Sequence, residues 1–220
     1  MVNGQNDVKP TQNFIQFVAD KIDKMQEKGF IDETQKIALH DMVKSDDFEN
    51  LYLAQQIIDN IVKENLAEPL NKGQKDAFYG IVDYIDNTDP DDENSTIPVV
   101  LKGYAGTGKT FLVKKIIEYI VYTKNNESIA VTAPTNKAVS VLYENSLVTG
   151  TSSYIFEDIF NKYSKITYTT IHKLMGLKEI VTDDGKQIFS ADTHASKLKS
   201  NKYLIVDEIS MLDDKLCHDI

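Results

Sequence analysis

The sequence predicts an α/β domain built on a parallel sheet and preceded by a small all-α domain. Residues 11–66 repeat apolar side chains at three- and four-residue steps, as amphipathic helices do. From Ile97 onwards, short apolar runs alternate with helical segments, which is typical of strands buried on both faces and joined by helical crossovers. Glu68-Pro69-Leu70 marks the expected boundary, so the predicted domains are residues 1–68 and residues 69–220.

Three amphipathic helices are expected in the N-terminal domain. The first would stop near Gly29, the second would begin with a capping box made by Asp32 and Gln35, and the third would follow residues 45–47. No pattern of catalytic residues accompanies them, so their charged side chains are interpreted as a solvated face. We expect these helices to contact a protein partner of unknown identity.

In the C-terminal domain, strands and helices are expected to alternate. The predicted strands are residues 97–102, 128–133 and 203–206. The predicted helices are residues 71–85, 109–123, 136–143 and 170–175. Loops are expected over residues 87–96, which are rich in Asp and Asn, and over residues 145–166.

The composition is that of an ordinary globular protein, with 41% hydrophobic and 26% charged residues. No window approaches the ~18 consecutive apolar residues of a membrane span. The polar N-terminus lacks the apolar core of a secretion signal. The single cysteine, Cys217, excludes an internal disulfide and a cysteine metal cage. We therefore expect a cytoplasmic protein with no membrane contact.

The net charge of −10 is the wrong sign for indiscriminate binding to nucleic acid. The acidic residues are concentrated, however, because residues 1–70 hold 13 acids against 7 lysines and residues 83–93 hold six acids and no base. The remainder is close to neutral and can carry a local basic patch. Every one of the 24 basic residues is a lysine.

The strongest motif is Gly103-Tyr-Ala-Gly-Thr-Gly-Lys-Thr110, which matches G-x-x-x-x-G-K-[ST] between a predicted strand and a predicted helix. Glycines at 106 and 108 would let the backbone turn tightly and bring its N–H groups against phosphate oxygens. The helix that opens at Lys109 would aim its unpaired amides at the same anion. Lys109 would reach the β- and γ-phosphates of a nucleotide, and the Thr110 hydroxyl would bind Mg²⁺.

The residues expected to bind the nucleotide extend from this loop into the first turn of the helix. They are Gly103, Ala105, Gly106, Thr107, Gly108, Lys109, Thr110 and Phe111.

A second motif, Asp207-Glu208, follows the apolar run Tyr203-Leu-Ile-Val206. Parallel sheets bind ligands at the carboxyl ends of their strands, which is where these acids are expected. Asp207 would hold Mg²⁺ through its water shell, because Mg²⁺ dehydrates reluctantly and favours carboxylates. Glu208 would orient and deprotonate the attacking water. Lys109, Asp207 and Glu208 are therefore the predicted catalytic residues.

Five segments together resemble, in the same order, the first motor domain of superfamily 1 helicases, in particular the RecD/Dda-like group that travels 5′ to 3′. They are Leu70-Asn-Lys-Gly-Gln74, Gly103 to Thr110, Ala133-Pro-Thr-Asn-Lys-Ala138, Thr169-Thr-Ile-His172 and Asp207-Glu-Ile-Ser210. The resemblance covers roughly two thirds of the chain. It implies a RecA-like P-loop NTPase domain over residues 69–220, with ATP and Mg²⁺ as cofactors and single-stranded DNA as partner. ATP-dependent DNA helicase activity is implied for the full-length protein.

By the same resemblance, Gln74 would hydrogen-bond the adenine edge, although Asn71 and Gln74 also fit a capping box at a helix start. Residues 134–137 and a second segment with Thr170 and His172 would contact the backbone of the single strand. The alternatives are an ordinary strand-to-helix turn for the first segment and a structural histidine for the second. The predicted nucleic-acid contacts are Pro134, Thr135, Asn136, Lys137, Thr170, His172 and Phe189.

A hairpin is expected over residues 177–191, because two alternating segments flank Asp183-Asp-Gly185. Related helicases insert a hairpin here that splits the duplex as a wedge. The same segment is interpreted either as that wedge, with Phe189 stacking on a base, or as a surface hairpin without this role.

A superfamily 1 motor closes its ATP site with arginines, at least one of them from a second motor domain. No arginine is present in these 220 residues, so we expect a fragment whose second motor domain lies C-terminal to it. Two other function classes stay open. One is a P-loop ATPase or kinase of another kind, and the other is an interaction module with a vestigial ATPase.

Overall fold

The computed structural model describes residues 11–45, 47–88, 97–124, 127–147, 165–181, 187–191, 196–212 and 216. The chain divides into two compact units, of which the first comprises Met1–Asn87 with Lys115–Asn125 and the second Thr88–Lys114 with Asn126–Ile220. These units do not follow the division after Glu68, which stays a prediction. Within the described residues, none of the helices has both the length and the apolar character needed to cross a membrane.

Four helices make up most of the first unit: α1 (Gln12–Glu27), α2 (Glu33–Lys44), α3 (Phe48–Ala67) and α4 (Lys72–Asn87). Gly29 ends the first helical segment with a φ of +73°, a conformation that favours glycine. Asp32 and Gln35 form the expected capping box at the start of α2. The prediction of an all-α N-terminal region is confirmed.

The core of the first unit includes the C-terminal half of helix α5 (Lys109–Thr123). The Tyr119 ring meets the Phe78 ring edge to face, with centroids 6.2 Å apart, and the Tyr122 ring lies 6.4 Å from the ring of Phe30. Both tyrosines are 1% exposed. Aromatic side chains bury large areas, and such ring pairs add about 0.5–1.5 kcal/mol each to stability.

The second unit contains five strands within the described residues. They are β1 (Ser128–Ala133), β2 (Lys165–Thr170), β3 (Leu177–Val181), β4 (Gln187–Ala191) and β5 (Tyr203–Val206). Three of them form a parallel sheet in the order β2-β1-β5, in which Ala133 pairs with Thr170 and Thr132 pairs with Val206. The predicted α/β class with a parallel sheet is confirmed.

Two helices follow strands of this sheet. Helix α6 (Asn136–Leu147) follows β1 and extends beyond the predicted end at residue 143. Helix α7 (Ile171–Leu174) follows β2 and is one residue shorter at each end than the predicted helix, because Thr170 and Met175 are its caps. The buried residues Ala130, Ile171, Leu174 and Leu216 form an apolar cluster between the sheet and α7.

The strand predicted over residues 97–102 is wrong. This segment has no regular secondary structure, and Ile97 and Val100 are 68% and 59% exposed. Pro98 has no N–H to donate to a strand ladder. In the described sheet β1 pairs with β2 and with β5, and segment 97–102 pairs with none of these strands.

Strand β2 lies partly in the loop that was predicted over residues 145–166, and its remaining residues had been assigned to no strand. Its sequence Lys-Ile-Thr-Tyr-Thr-Thr is too polar for the continuous apolar run expected of a buried parallel strand. The strand has only one neighbour in the described sheet, and most of its residues are partly exposed. Polar Thr side chains are therefore tolerated, and their β-branching favours extended backbone.

The predicted hairpin is present as the antiparallel pair β3–β4. Leu177 pairs with Ala191, and Glu179 pairs with Phe189. The turn at residues 183–185 and the side chain of Phe189 lie outside the described residues.

Candidate functional site

The loop Gly103–Thr110, called the P-loop below, turns at two glycines in the left-handed region. The φ angles are +78° at Gly106 and +79° at Gly108. Side chains with a β-carbon rarely adopt this conformation, so the glycines allow the backbone to reverse without strain. The tight turn that was predicted at these two positions agrees with the backbone geometry, and the contact of its N–H groups with phosphate stays a prediction.

Gly103 lies against the side chain of Thr107. A β-carbon at this position would lie 2.9 Å from the hydroxyl oxygen of Thr107, closer than real β-carbons approach other atoms. A side chain at residue 103 would therefore force the Thr107 hydroxyl to move.

The ammonium group of Lys109 is held by the opposite end of the loop. Its Nζ donates hydrogen bonds to the backbone carbonyls of Gly103 at 2.8 Å and Tyr104 at 2.9 Å. An ammonium has three donors, so these bonds leave capacity for a phosphate oxygen. The positive charge is fixed at the loop by backbone atoms.

Helix α5 begins at Lys109, directly after the loop, and the Leu112 N–H in its first turn donates to the Gly108 carbonyl at 3.0 Å. The first N–H groups of a helix have no partner within it and lie at the positive end of its dipole, which suits an anion. Thr110 is half-buried in this first turn, whereas Phe111 and Tyr104 are 39% and 90% exposed.

The remaining predicted segments of the second unit follow three adjacent parallel strands. Residues 134–137 follow β1, Thr170 ends β2, and Asp207 follows β5. The Asp207 N–H donates to the Thr132 carbonyl at 2.9 Å, which extends the β5 ladder by one residue. Because the strands are parallel, all three segments lie at the same edge of the sheet, with the β1 segment in the middle.

The Asp207-Glu208 pair has an unusual backbone. Glu208 is the only described non-glycine residue with a positive φ, at φ 53° and ψ 36°. Its N–H donates to Asp207 Oδ1 at 2.9 Å, which ties the Asp207 carboxylate to the turn. A left-handed conformation costs roughly 1–3 kcal/mol for such a residue, and strain of this kind occurs often at functional sites.

Two predicted nucleic-acid residues have structural roles as helix caps. The Thr135 hydroxyl accepts from Ala138 N–H at 3.2 Å at the start of α6, and the Thr170 hydroxyl accepts from Lys173 N–H at 3.4 Å. Thr135, Asn136 and Lys137 are exposed, whereas His172 is half-buried. Their contacts with nucleic acid stay predictions.

Gln74 forms the capping box that was one of its two interpretations. Its Oε1 accepts from Asn71 N–H at 3.1 Å, and its own N–H donates to Asn71 Oδ1 at 3.0 Å. Gln74 belongs to the first unit, and its adenine contact stays a prediction.

Comparison with known proteins places this geometry in a family. Residues 92–220 match the family described as an AAA domain. The chain belongs to this family. Its members carry the P-loop NTPase fold, so the predicted P-loop NTPase fold class is confirmed.

Among curated proteins, the chain is 28% identical to the ATP-dependent DNA helicase Dda of Enterobacteria phage T4 over 149 residues, which are 68% of this chain and 28% of that protein. It is 35% identical to the RecBCD enzyme subunit RecD of Buchnera aphidicola over 116 residues, 50% of this chain and 17% of that subunit. An uncharacterized protein of Acanthamoeba polyphaga mimivirus is 32% identical over 123 residues, 54% of this chain and 24% of that protein. No solved structure is significantly similar.

These relatives confirm the resemblance to the RecD/Dda-like motor domain of superfamily 1 helicases. The chain spans less than a third of the length of each of the three relatives.

Two features of the AAA domain's site could not be found from the sequence. Tyr104 was left out of the predicted nucleotide-binding residues, yet its carbonyl accepts the Lys109 ammonium. A backbone carbonyl acts independently of its side chain, so no residue pattern marks it. The left-handed backbone of Glu208 could not be predicted from the sequence either, because glutamate has no preference for that conformation.

Proposed function

We propose that residues 69–220 bind ATP with Mg²⁺ and form the first motor domain of a DNA helicase. The full-length protein would use ATP hydrolysis to move along single-stranded DNA and unwind duplexes. The observation that carries this proposal is the P-loop geometry, in which the Lys109 ammonium is fixed between the Gly103 and Tyr104 carbonyls at the start of α5. Membership of the AAA domain family supports it.

In this proposal the P-loop amides from Gly106 to Thr110 and the first turn of α5 bind the phosphates. Lys109 neutralises charge on the β- and γ-phosphates. Bound Mg²⁺ would supply positive charge that offsets the negative charge developing on the transferred phosphoryl group and on the leaving ADP. The Thr110 hydroxyl and the Asp207 carboxylate are oxygen ligands of the kind that Mg²⁺ favours.

Glu208 is the proposed general base. Glu208 comes directly after Asp207, the last residue that bonds in the β5 ladder, and its backbone is left-handed. Its side chain is exposed and therefore accessible to a water molecule. Asp207 accepts the Glu208 N–H and thereby fixes the turn that orients this side chain. The two acids would then have separate tasks, with Asp207 holding the metal and Glu208 taking the proton.

The sheet edge next to these acids is the proposed contact with single-stranded DNA. Residues 134–137 present exposed hydroxyl, amide and ammonium groups at the start of α6, and such groups bind a phosphate backbone without reading its sequence. One of the relatives is an ATP-dependent DNA helicase by name, which supports DNA as the partner.

The hairpin β3–β4 is the proposed wedge between the separating strands. Replacing residues 178–190 by a short turn in the full-length protein would leave ATP hydrolysis intact and abolish unwinding. Retained unwinding would identify the hairpin as a surface feature.

Titration of the chain with a fluorescent ATP analogue and Mg²⁺ tests the proposal. Saturable binding is expected for the unaltered chain. Lys109→Ala should remove it without changing the far-UV circular dichroism, because the charge serves phosphate and not folding. Lys102→Ala, which removes an exposed lysine just before the loop, is the matched control and should bind normally. If Lys109→Ala binds the ATP analogue as tightly as Lys102→Ala does, the proposal is refuted.

A further inference from the structure

The P-loop contains a hydroxyl group whose contact the phosphate-binding motif does not explain. Thr107 Oγ1 donates a hydrogen bond of 2.9 Å to the Tyr104 carbonyl. The same carbonyl accepts Lys109 Nζ at 2.9 Å, whereas the Thr107 N–H lies at the longer distance of 3.4 Å. A neutral hydroxyl and the ammonium of Lys109 therefore share one oxygen.

Sharing this oxygen restricts where the ammonium can lie. A carbonyl oxygen has two lone pairs, and the two short bonds occupy them. With one direction taken by the Thr107 hydroxyl, Lys109 is left with the other. The hydroxyl adds a shorter bond to the one that the Thr107 N–H makes with the same oxygen, and so holds the orientation of the Tyr104 peptide more firmly.

The loop is built to admit this hydroxyl. A β-carbon at Gly103 would stand 2.9 Å from Thr107 Oγ1, so a side chain at position 103 would displace the hydroxyl. Glycine at position 103 thus leaves the space that the Thr107 hydroxyl needs in order to bond to the Tyr104 carbonyl.

We infer that Thr107 is a positioning residue for nucleotide binding. Its hydroxyl fixes the Tyr104 carbonyl, and through that carbonyl it places the Lys109 ammonium for the β- and γ-phosphates. The inference rests on the proposed function, since it requires that this loop binds ATP. Without the hydroxyl, the ammonium would sample more positions and bind the phosphates less tightly.

Three variants of the chain test this role, each titrated with fluorescent ATP and AMP analogues. Thr107→Val replaces the hydroxyl by a methyl group of similar shape and should raise the Kd for ATP about 3- to 10-fold, the range expected for one hydrogen bond. Thr107→Ser keeps the hydroxyl and should restore binding to within about 2-fold. Thr123→Val removes a similar bond, from Thr123 Oγ1 to the Tyr119 carbonyl at 2.8 Å, far along α5, and should leave the Kd unchanged.

The AMP analogue separates positioning from general damage to the loop. Because Lys109 serves the β- and γ-phosphates, Thr107→Val should weaken ATP binding more than AMP binding. Equal losses for both nucleotides, a normal ATP Kd in Thr107→Val, or failure of Thr107→Ser to restore binding would each overturn the inference. Absence of ATP binding by the unaltered chain would instead refute the proposed function.

Discussion

At the scale of single residues, the most unusual environment is that of Lys21 in α1. The side chain is 1% exposed, and its Nζ has no hydrogen-bond partner among the described residues. The Nζ lies 3.6 Å from Asp59 Oδ1 and 4.3 Å from the centroid of the Phe17 ring. Asp59 Oδ1 is already bound by Gln55 Nε2 at 2.6 Å. The free-energy cost of burying the ammonium is therefore larger than the stabilisation that Asp59 and the Phe17 ring give it.

This environment predicts that the chain becomes more stable as the solution is made moderately alkaline. Burial lowers the pKa of Lys21 from 10.5 to about 8, although Asp59 opposes the shift. The unfolded chain therefore binds the extra proton more tightly than the folded chain, and the cost of the buried charge disappears as the pH rises through 8 towards 10.5. The gain would be at most about 3 kcal/mol.

Urea unfolding followed by far-UV circular dichroism, in the unaltered chain and in Lys21→Met, measures this effect. Burial raises the pKa of Tyr119 and Tyr122 above the ordinary value of 10.0. The stability that these neutral tyrosines contribute is therefore lost only above about pH 10. Both tyrosines are present in the unaltered chain and in Lys21→Met, so they do not affect the difference between the two proteins. Between about pH 7 and about pH 10, the unaltered chain should gain stability relative to Lys21→Met. A constant difference across that range would contradict the prediction.

At the scale of elements, the start of α4 combines a structural and a proposed functional role in one side chain. Asn71 and Gln74 cap the helix reciprocally, and Gln74 is also the proposed adenine contact. An amide carbonyl has two lone pairs and the amide nitrogen two donors, so the cap does not use the whole group. The two roles can therefore be separated by changing the two partners singly.

Asn71→Ala and Gln74→Ala should each destabilise the chain by about 1 kcal/mol, because each breaks the capping box. Only Gln74→Ala should lower the preference for ATP over GTP, by about 3- to 10-fold, since only Gln74 would contact the base. Competition of both nucleotides against a fluorescent analogue gives this preference. The adenine role is refuted if Gln74→Ala keeps the preference of the unaltered chain, or if Asn71→Ala changes it to the same extent.

The elements that the sequence predicted correctly are those with strong local signals. Asp32 with Gln35 and the glycines of the P-loop act through contacts within a few residues, so their patterns identify them. Segment 97–102 and strand β2 were misjudged because their states depend on pairing partners distant in the chain. An apolar run indicates burial, but which strand occupies each side of β1 is a tertiary property.

At the scale of the whole molecule, the lack of arginine limits what this chain can catalyse. An arginine that contacts the transferred phosphate contributes about 10³–10⁵ in rate, and lysine lacks its planar pair of donors. All 24 basic residues here are lysine. We therefore expect the 220-residue chain to bind ATP, to hydrolyse it slowly and to unwind no duplex.

Binding of single-stranded DNA should be weak, nucleotide-dependent and only mildly sensitive to salt. Two exposed lysines lie at the proposed DNA-binding edge: Lys137 in segment 134–137, and Lys173 directly after His172. If both neutralise a phosphate, the logarithm of the binding constant should fall with the logarithm of salt concentration at a slope of about −1.4, or about −0.7 for each lysine. Fluorescence anisotropy of a labelled oligonucleotide, with and without a non-hydrolysable ATP analogue, measures both effects. Lys137→Ala should halve the slope, whereas Lys44→Ala, in α2, should not change it. A slope unaffected by Lys137→Ala would place the DNA elsewhere on the molecule.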